Sequence, residues 1–396
     1  MDTAVVRNAA LAWLMLATAM VANVRASQLP LATASQPDVA VKHLYCWVRL
    51  QGSVGTEISE TPLREIVNDA KQQGADTIIF EYEPVWEPLN TEPRSGERNY
   101  LDELIRAEAL AKVLTEEIPR DWVKQPRIAM WVKNACGNGI VLPMACNELY
   151  FASTARMGGF EDFGRLGDPW SSDDGLAQKW SLCLARLTRR GGPGGHEPLL
   201  LRAMCNRAIV LSLRNRDGGV ELFEGLPSSP GEELLTDDGI GPRQDDPEAI
   251  RNRTGNDVLT IDASLALRVG LSRKTIDSRG ELLEAMGLAS NAADASGCGD
   301  RVLMEWREGV TSTKLELCRL SEQYQRIAVG EPGDNAARKE SRVQKREILL
   351  KMIGLFKGRF GESLDARWSR KNQVPSRFDL EILVEQLKLE QSRDRQ

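Results

Sequence analysis

The stretch PRIAMWVKNACGNGIVLPMACNELYFASTARMG, residues 126–158, decides how this chain folds. RIAMWV (127–132), in which Arg127 is followed by five apolar residues with β-branched and aromatic members, reads as a strand. ACGNG (135–139) has the small residues and glycines of a tight turn. IVLPMAC (140–146) is apolar again, and the reading is a helix over residues 139–146 that starts directly after the turn. ELYFAS (148–153) reads as a further strand, and ARMG (155–158) closes the unit. Two parallel strands can be joined only by a crossover, so strand, turn, helix, strand is the signature of a parallel sheet.

The alternation continues upstream. VKHLYCWVRL (41–50) has strand composition. TPLREIVNDAKQQGA (61–75) places Leu63, Ile66, Val67 and Ala70 at helical spacing, with Gly74 where a C-cap belongs. DTIIFEYE (76–83) is a buried strand. YLDELIRAEALAKVLTEEI (100–118) is a long amphipathic helix that Pro119 is expected to stop. The predicted class is therefore α/β, built from βαβ units. Downstream, residues 226–257 are rich in Pro, Gly and Asp and read as a long loop. Asn252 there opens an NRT triplet, a glycosylation sequon of a kind common by chance. ASNAADASGCGD (289–300) reads as a linker, and charged helical segments follow at about 301–328, 336–359 and 377–391.

The N-terminus reads differently. Arg7 precedes an uncharged run centred on AALAWLMLATAMVA (9–22), and VRA (24–26) fits a small-residue cleavage site, the layout of a secretory signal. That run is short of the ~20 residues a membrane span needs, and no later stretch is long and apolar enough. The expected organisation is a signal at 1–26, a linker at 27–40, an α/β domain at 41–290 and a helical C-terminal region at 291–396. The last is either a solvated tail or a partner-binding surface. The mature chain is expected outside the cytoplasm, periplasmic or secreted, or membrane-anchored if the segment is retained.

Composition limits the chemistry. The 396 residues are 42% hydrophobic and 27% charged with net charge −6, enough for a core and without the basic surplus that would hold nucleic acid. Two histidines, His43 and His196, give little for a metal site or a Ser–His–Asp triad. Seven cysteines (Cys46, Cys136, Cys146, Cys183, Cys205, Cys298 and Cys318) are odd in number and match no C-x-x-C spacing. No metal and no cofactor is expected, and most of the cysteines are expected as buried small hydrophobes.

Residues 126–158 resemble the central segment of the ClpP/crotonase superfamily, in particular its NfeD-type and signal-peptide-peptidase-type (SppA-like) serine peptidases. Those families run a strand, an A-x-S-A-G turn, an apolar helix, D-E-I and a closing A-x-I-G; here ACGNG, IVLPMAC, NEL and ARMG stand in those places. LTIDASLALRVGLSRKTIDSRGELLEAMGL (259–288) resembles the closing segment, and PLREIVNDAKQQGADTIIFEYEP (62–84) has the order of the opening helix and strand. The resemblance spans about 41–288 and implies a βαβ superhelical fold with a C-terminal α-helical appendage. It also implies self-assembly into a homo-oligomer.

The resemblance implies acyl transfer to a serine on the turn, with backbone N–H groups binding the oxyanion and a desolvated lysine as base. Aligned from NEL, the serine position is Gly137, which cannot attack anything. Where the family has D-x-P-G-G, this chain has Glu83, Pro84, Val85 and Trp86, so Val85, Trp86 and the turn residue Asn138 make up an altered oxyanion region. Lys179 stands where the family's lysine would, as candidate base or as a surface lysine. Cys136, one residue before the serine position, is the alternative nucleophile, at a helix start that would lower a thiol pKa. The acyl-CoA branch offers a second alternative, in which Gly137, Gly139 and Cys146 match a G-G-G-x-E-L-A-L-x-C-D pattern and Glu148 or Glu161 would act. The expectation is a peptidase homologue that has lost its nucleophile and binds or assembles, with a peptide or membrane-protein segment as partner.

Overall fold

The computed structural model describes residues 43–85, 105–159, 196–206, 208–246, 249, 254–295, 297–328, 334–364 and 366–393. The signal segment, the linker after it, Trp86, Glu161, Lys179 and Cys183 lie outside them.

A parallel sheet forms the centre. Its strands are β1 (His43–Ser53), β2 (Thr77–Val85), β3 (Arg127–Val132) and β5 (Leu149–Phe151), with a short edge strand β11 (Ala292–Asp294) beside β1, in the order β11-β1-β2-β3-β5. Beyond the carboxyl end of β3 the chain makes a two-residue strand β4 (Ala135–Cys136), then passes through a 3₁₀ turn and helix α3 (Val141–Met144) before β5. Strand β6 (Arg156–Gly158) pairs parallel to β4 and antiparallel to β10 (Thr260–Asp262), making a second small sheet. The β3–β4 and β5–β6 passes thus each place one strand in the large sheet and a short one in the small sheet. This is an α/β fold, as the sequence predicts.

Side-chain alternation separates two cores. Cys46, Val48 and Leu50 of β1, Ile78, Phe80 and Tyr82 of β2, and Met130 and Val132 of β3 face helix α1 (Glu60–Gln72). The buried residues of α1 include Leu63, Ile66, Val67 and Ala70, the apolar stripe read from the sequence. Tyr45, Trp47, Ile79, Ala129, Trp131 and Tyr150 face the other way and are covered by Ile276, Leu282, Met286 and Leu288.

Four readings are corrected. Pro119 does not stop its helix: residues 105–121 (α2) stay helical, with π-type bonding over Val113–Glu117 and a closing turn at Ile118–Asp121. The proline sits in the first turn of that closing segment, where a missing N–H costs least. The helix expected over 139–146 is shorter, because a 3₁₀ turn occupies Gly137–Ile140 and the α-helical turn ends at Met144. Residues 211–236, partly read as loop, form an antiparallel sheet of β7 (Leu211–Arg216), β8 (Gly219–Glu224) and β9 (Glu232–Thr236). Asp217–Gly218 is its hairpin turn, with Gly218 at φ 96°, a dipeptide that signals such turns. The linker-like stretch 289–300 contains β11 and Cys298, which is disulfide-bonded to Cys46 of β1.

The C-terminal helices are α7 (Asp300–Arg326), α8 (Asn335–Lys357), α9 (Ala366–Lys371) and α10 (Arg377–Arg393). Leu317, Leu320, Leu349, Met352, Leu380, Val384 and Leu387 form their shared core. They dock on the β1–α1 loop. Trp306 Nε1 and Ser363 Oγ both donate to Thr56 O, at 3.0 and 2.8 Å. The Glu362 carboxylate accepts from Ser59 Oγ, Thr61 N and Thr61 Oγ1 at 3.0–3.1 Å, a borrowed cap for the first turn of α1.

Candidate functional site

The site to examine is the strand-to-helix turn after β3, where the resemblance places a nucleophile. Cys136 is extended (φ −104°, ψ 159°), and Gly137 turns the chain with φ +60°. That is left-handed backbone, which glycine enters without the cost a Cβ brings. The 3₁₀ helix then begins at once. Residues 135–146 are all buried.

Cys136 is 1% exposed, and its Sγ donates to Asn134 Oδ1 at 3.4 Å and Arg156 O at 3.7 Å. Its thiol is therefore occupied on the β6 side of the turn. Asn138 is 7% exposed. Val85, the last residue of β2, is exposed, whereas Pro84 is buried against the turn. A Cβ on Gly139 would meet Pro84 Cγ at 2.9 Å and Tyr82 Oη at 3.6 Å. Pro84, which stands at the proline of the resembled D-x-P-G-G motif, and Tyr82 thus lie directly against Gly139, while of the two positions where that motif has glycines Val85 is exposed and Trp86 lies outside the described residues. Tyr82 is fully buried, and its hydroxyl has no hydrogen-bond partner among the described residues. Burial, then the nearby Cys146, pushes that phenol's pKa up.

The residues considered for acyl-CoA chemistry sit elsewhere. Cys146 is buried, and burial pushes its thiol up to about 12, so it is neutral at physiological pH. Glu148 lies at the amino end of β5, the opposite end of the sheet from the turn. Arg127 Nε donates to it at 2.8 Å, Arg127 Nη2 also donates, and Tyr150 Oη donates at 2.6 Å. Burial opposes the Glu148 charge, but these hydrogen bonds outweigh it and hold the carboxyl below its ordinary range. It is the anionic half of a structural pair.

Sequence reasoning overlooked three groups. Lys133 lies 3.3 Å over the Trp131 ring, a cation–π contact just before the turn. His196 Nε2 donates to Cys146 O at 2.6 Å, and burial pulls its pKa down against that bond. A cleft of ≈ 320 Å³ lies between α1 and α2. Arg64 in that cleft is already held by Glu60 and by Glu117 (2.7 Å), so its charge is spent within the wall. Among the described residues, no group of His, Cys, Asp or Glu is placed to hold a metal ion. No helix among them is long and apolar enough to cross a membrane.

No family model and no curated protein sequence matches the chain. Among solved structures, it is similar to a lysine-to-alanine mutant of the 1510-N membrane-bound stomatin-specific protease in complex with a substrate peptide. That likeness has TM-score 0.36 and 10% identity, over 64% of this chain and 90% of the other. It is also similar to a putative enoyl-CoA hydratase/isomerase from Acinetobacter baumannii, with TM-score 0.28 and 11% identity over 65% and 78% of the two chains. An enoyl-CoA hydratase from Bacillus halodurans gives TM-score 0.28 and 12% identity over 83% and 95%. Likeness at this level carries no activity over to this chain.

Proposed function

We propose that this chain is a ClpP-class peptidase homologue without catalysis, exported from the cytoplasm and acting through binding or assembly. One observation carries the reading: the turn that would start acyl transfer has Gly137, in left-handed backbone, in place of a nucleophile, and exposed Val85 stands where the donor strand would have its first glycine. An enzyme of this mechanism needs an attacking group and pre-aimed donors together. Loss of the attacking group costs about 10⁶ in rate, and loss of one donor about 3–4 kcal/mol. Cys136 does not supply the missing group, because a buried thiol engaged by Asn134 and Arg156 is not presented to a substrate.

The test is hydrolysis and covalent labelling of the purified mature chain. Casein cleavage should not rise above background, and neither a fluorophosphonate nor iodoacetamide under native conditions should label residues 135–139. Gly137→Ser should restore nothing, since a serine there must adopt φ +60° and Val85 and Trp86 still stand where the donor strand would need its glycine pair. Cleavage that vanishes in Cys136→Ala would sink the reading and make Cys136 the nucleophile.

Export is supported by the signal-like residues 1–26 and by the Cys46–Cys298 disulfide, a bond that persists in oxidising compartments. Protein isolated from its native host should begin at or near Ser27. An intact Met1 on cytoplasmic protein would overturn this part.

A further inference from the structure

Helix α10 is apolar on two opposite faces. Leu380, Val384 and Leu387 are buried in the C-terminal core, at 0%, 5% and 8% exposure. Phe378, Ile382 and Leu389 stand outward at 70%, 41% and 62%. At 100° per residue the three outward side chains fall within about 40° of one another, a single stripe about 16 Å long. A helix that finished its packing inside this chain would carry polar residues there. Isolated exposed leucines need no explanation, but three large apolar side chains in register on one helix do.

From this stripe we infer that α10 pairs with the α10 of a second copy of this chain, antiparallel about a two-fold axis. The inference rests on the assembly half of the function proposed above and names its surface and partner.

Charge selects both the partner and the direction. Glu381 and Lys388 lie seven residues apart on the same flank of the stripe. A parallel pair would carry the Glu381–Lys388 flanks of the two helices to opposite sides of the seam, where they could not meet. An antiparallel pair sets each Glu381 against the partner copy's lysine, twice by symmetry, as a self-complementary two-fold interface requires. In the single chain these groups are tied only by surface pairs. Glu381 is 3.2 Å from Arg377 and 3.6 Å from Lys357, and Lys388 is 2.6 Å from Glu385. Such pairs are worth little and exchange readily. The same arrangement brings the two Glu385 carboxylates toward the axis, and each Lys388 ammonium then lies between its own Glu385 and the partner copy's Glu381. One helix stripe makes a small interface, so the dimer should be weak, with Kd in about the micromolar range.

The experiment is sedimentation of the mature chain over rising concentration, with folding of each variant followed by circular dichroism. The wild type should pass from monomer to dimer below about 100 µM. Ile382→Glu and Leu389→Lys should each weaken association by about tenfold or more while leaving the fold intact, because both side chains face outward. Glu381→Lys should weaken it as well, and Glu381→Lys with Lys388→Glu should restore it to within about threefold. A chain that stays monomeric overturns the inference, as does a dimer indifferent to Ile382→Glu. A dimer that the double charge exchange fails to rescue overturns the antiparallel register. A monomer that binds anionic vesicles and loses that binding in Ile382→Glu would assign the stripe to a lipid surface instead, also overturning it. Association is read by mass and the silent turn by hydrolysis, so failure of one is distinguishable from failure of the other.

Discussion

Replacing both partners of the disulfide, as Cys46→Ala with Cys298→Ala, should lower the unfolding free energy by about 5 kcal/mol. The two cysteines are 252 residues apart in sequence, and both are buried. A cross-link closing so long a loop removes more freedom from the unfolded chain than a short one does, which places this bond at the upper end of the usual range. Its position matters as much as its span. Cys46 lies in β1, and Cys298 stands two residues before α7, so the bond fixes the start of the C-terminal helices to the central sheet. Urea unfolding of the double variant and of the wild type, without reductant, measures the effect. Adding reductant to the wild type should reproduce most of it. A shift of under about 1 kcal/mol would mean that the pair is reduced in solution or that the unfolded chain is already compact.

The second large effect is expected for Trp306→Ala, about 3–5 kcal/mol. Trp306 is fully buried, donates Nε1–H to Thr56 O at 3.0 Å, and packs against the Phe360 ring with centroids 5.2 Å apart. Phe360 in turn lies so close to Gly309 that a Cβ there would fall 2.1 Å from its ring. The neighbours are locked by one another and cannot collapse into the space left by the indole, which is the condition under which a cavity costs most. Thr56 O keeps its bond from Ser363, so the loss measures packing rather than an orphaned carbonyl. Limited proteolysis should cut the C-terminal helices of this variant sooner than those of the wild type. Equal stability of variant and wild type would contradict the docking described for α7.

Where periodicity was strong, the sequence was legible. RIAMWV coincides with β3, and the Leu63/Ile66/Val67/Ala70 stripe coincides with the buried side of α1, because each pattern matches the period of its element. Reading failed where tertiary context decides. Ala292–Asp294 carries no strand composition and is a strand only because β1 offers it an edge. The β7–β8 hairpin, by contrast, was missed despite a usable signal, Asp217–Gly218 between LSLRNR and GVELFE. At the turn, Gly137 itself was legible as a glycine. The packing of Pro84 and Tyr82 against Gly139 was not, because a contact between β2 and the turn more than fifty residues later leaves no local mark. The Arg127–Glu148 pairing was hidden for the same reason, so Glu148 was open to a catalytic reading until its partners were seen.

The edge strand β11 has a consequence for the order in which the chain can fold. β1 finds β2 soon after both are synthesised, but its other neighbour and its disulfide partner arrive some 250 residues later. Contacts so distant in sequence form late, since the loop between them must close before they contribute. Until residue 298 has emerged, one edge of β1 lies open, and the C-terminal helices have no anchor for their first turn. A chain arranged in this way completes its central sheet only after about three quarters of it has been made. Its exposed β1 edge during that interval is the place where a holding chaperone would have most to protect.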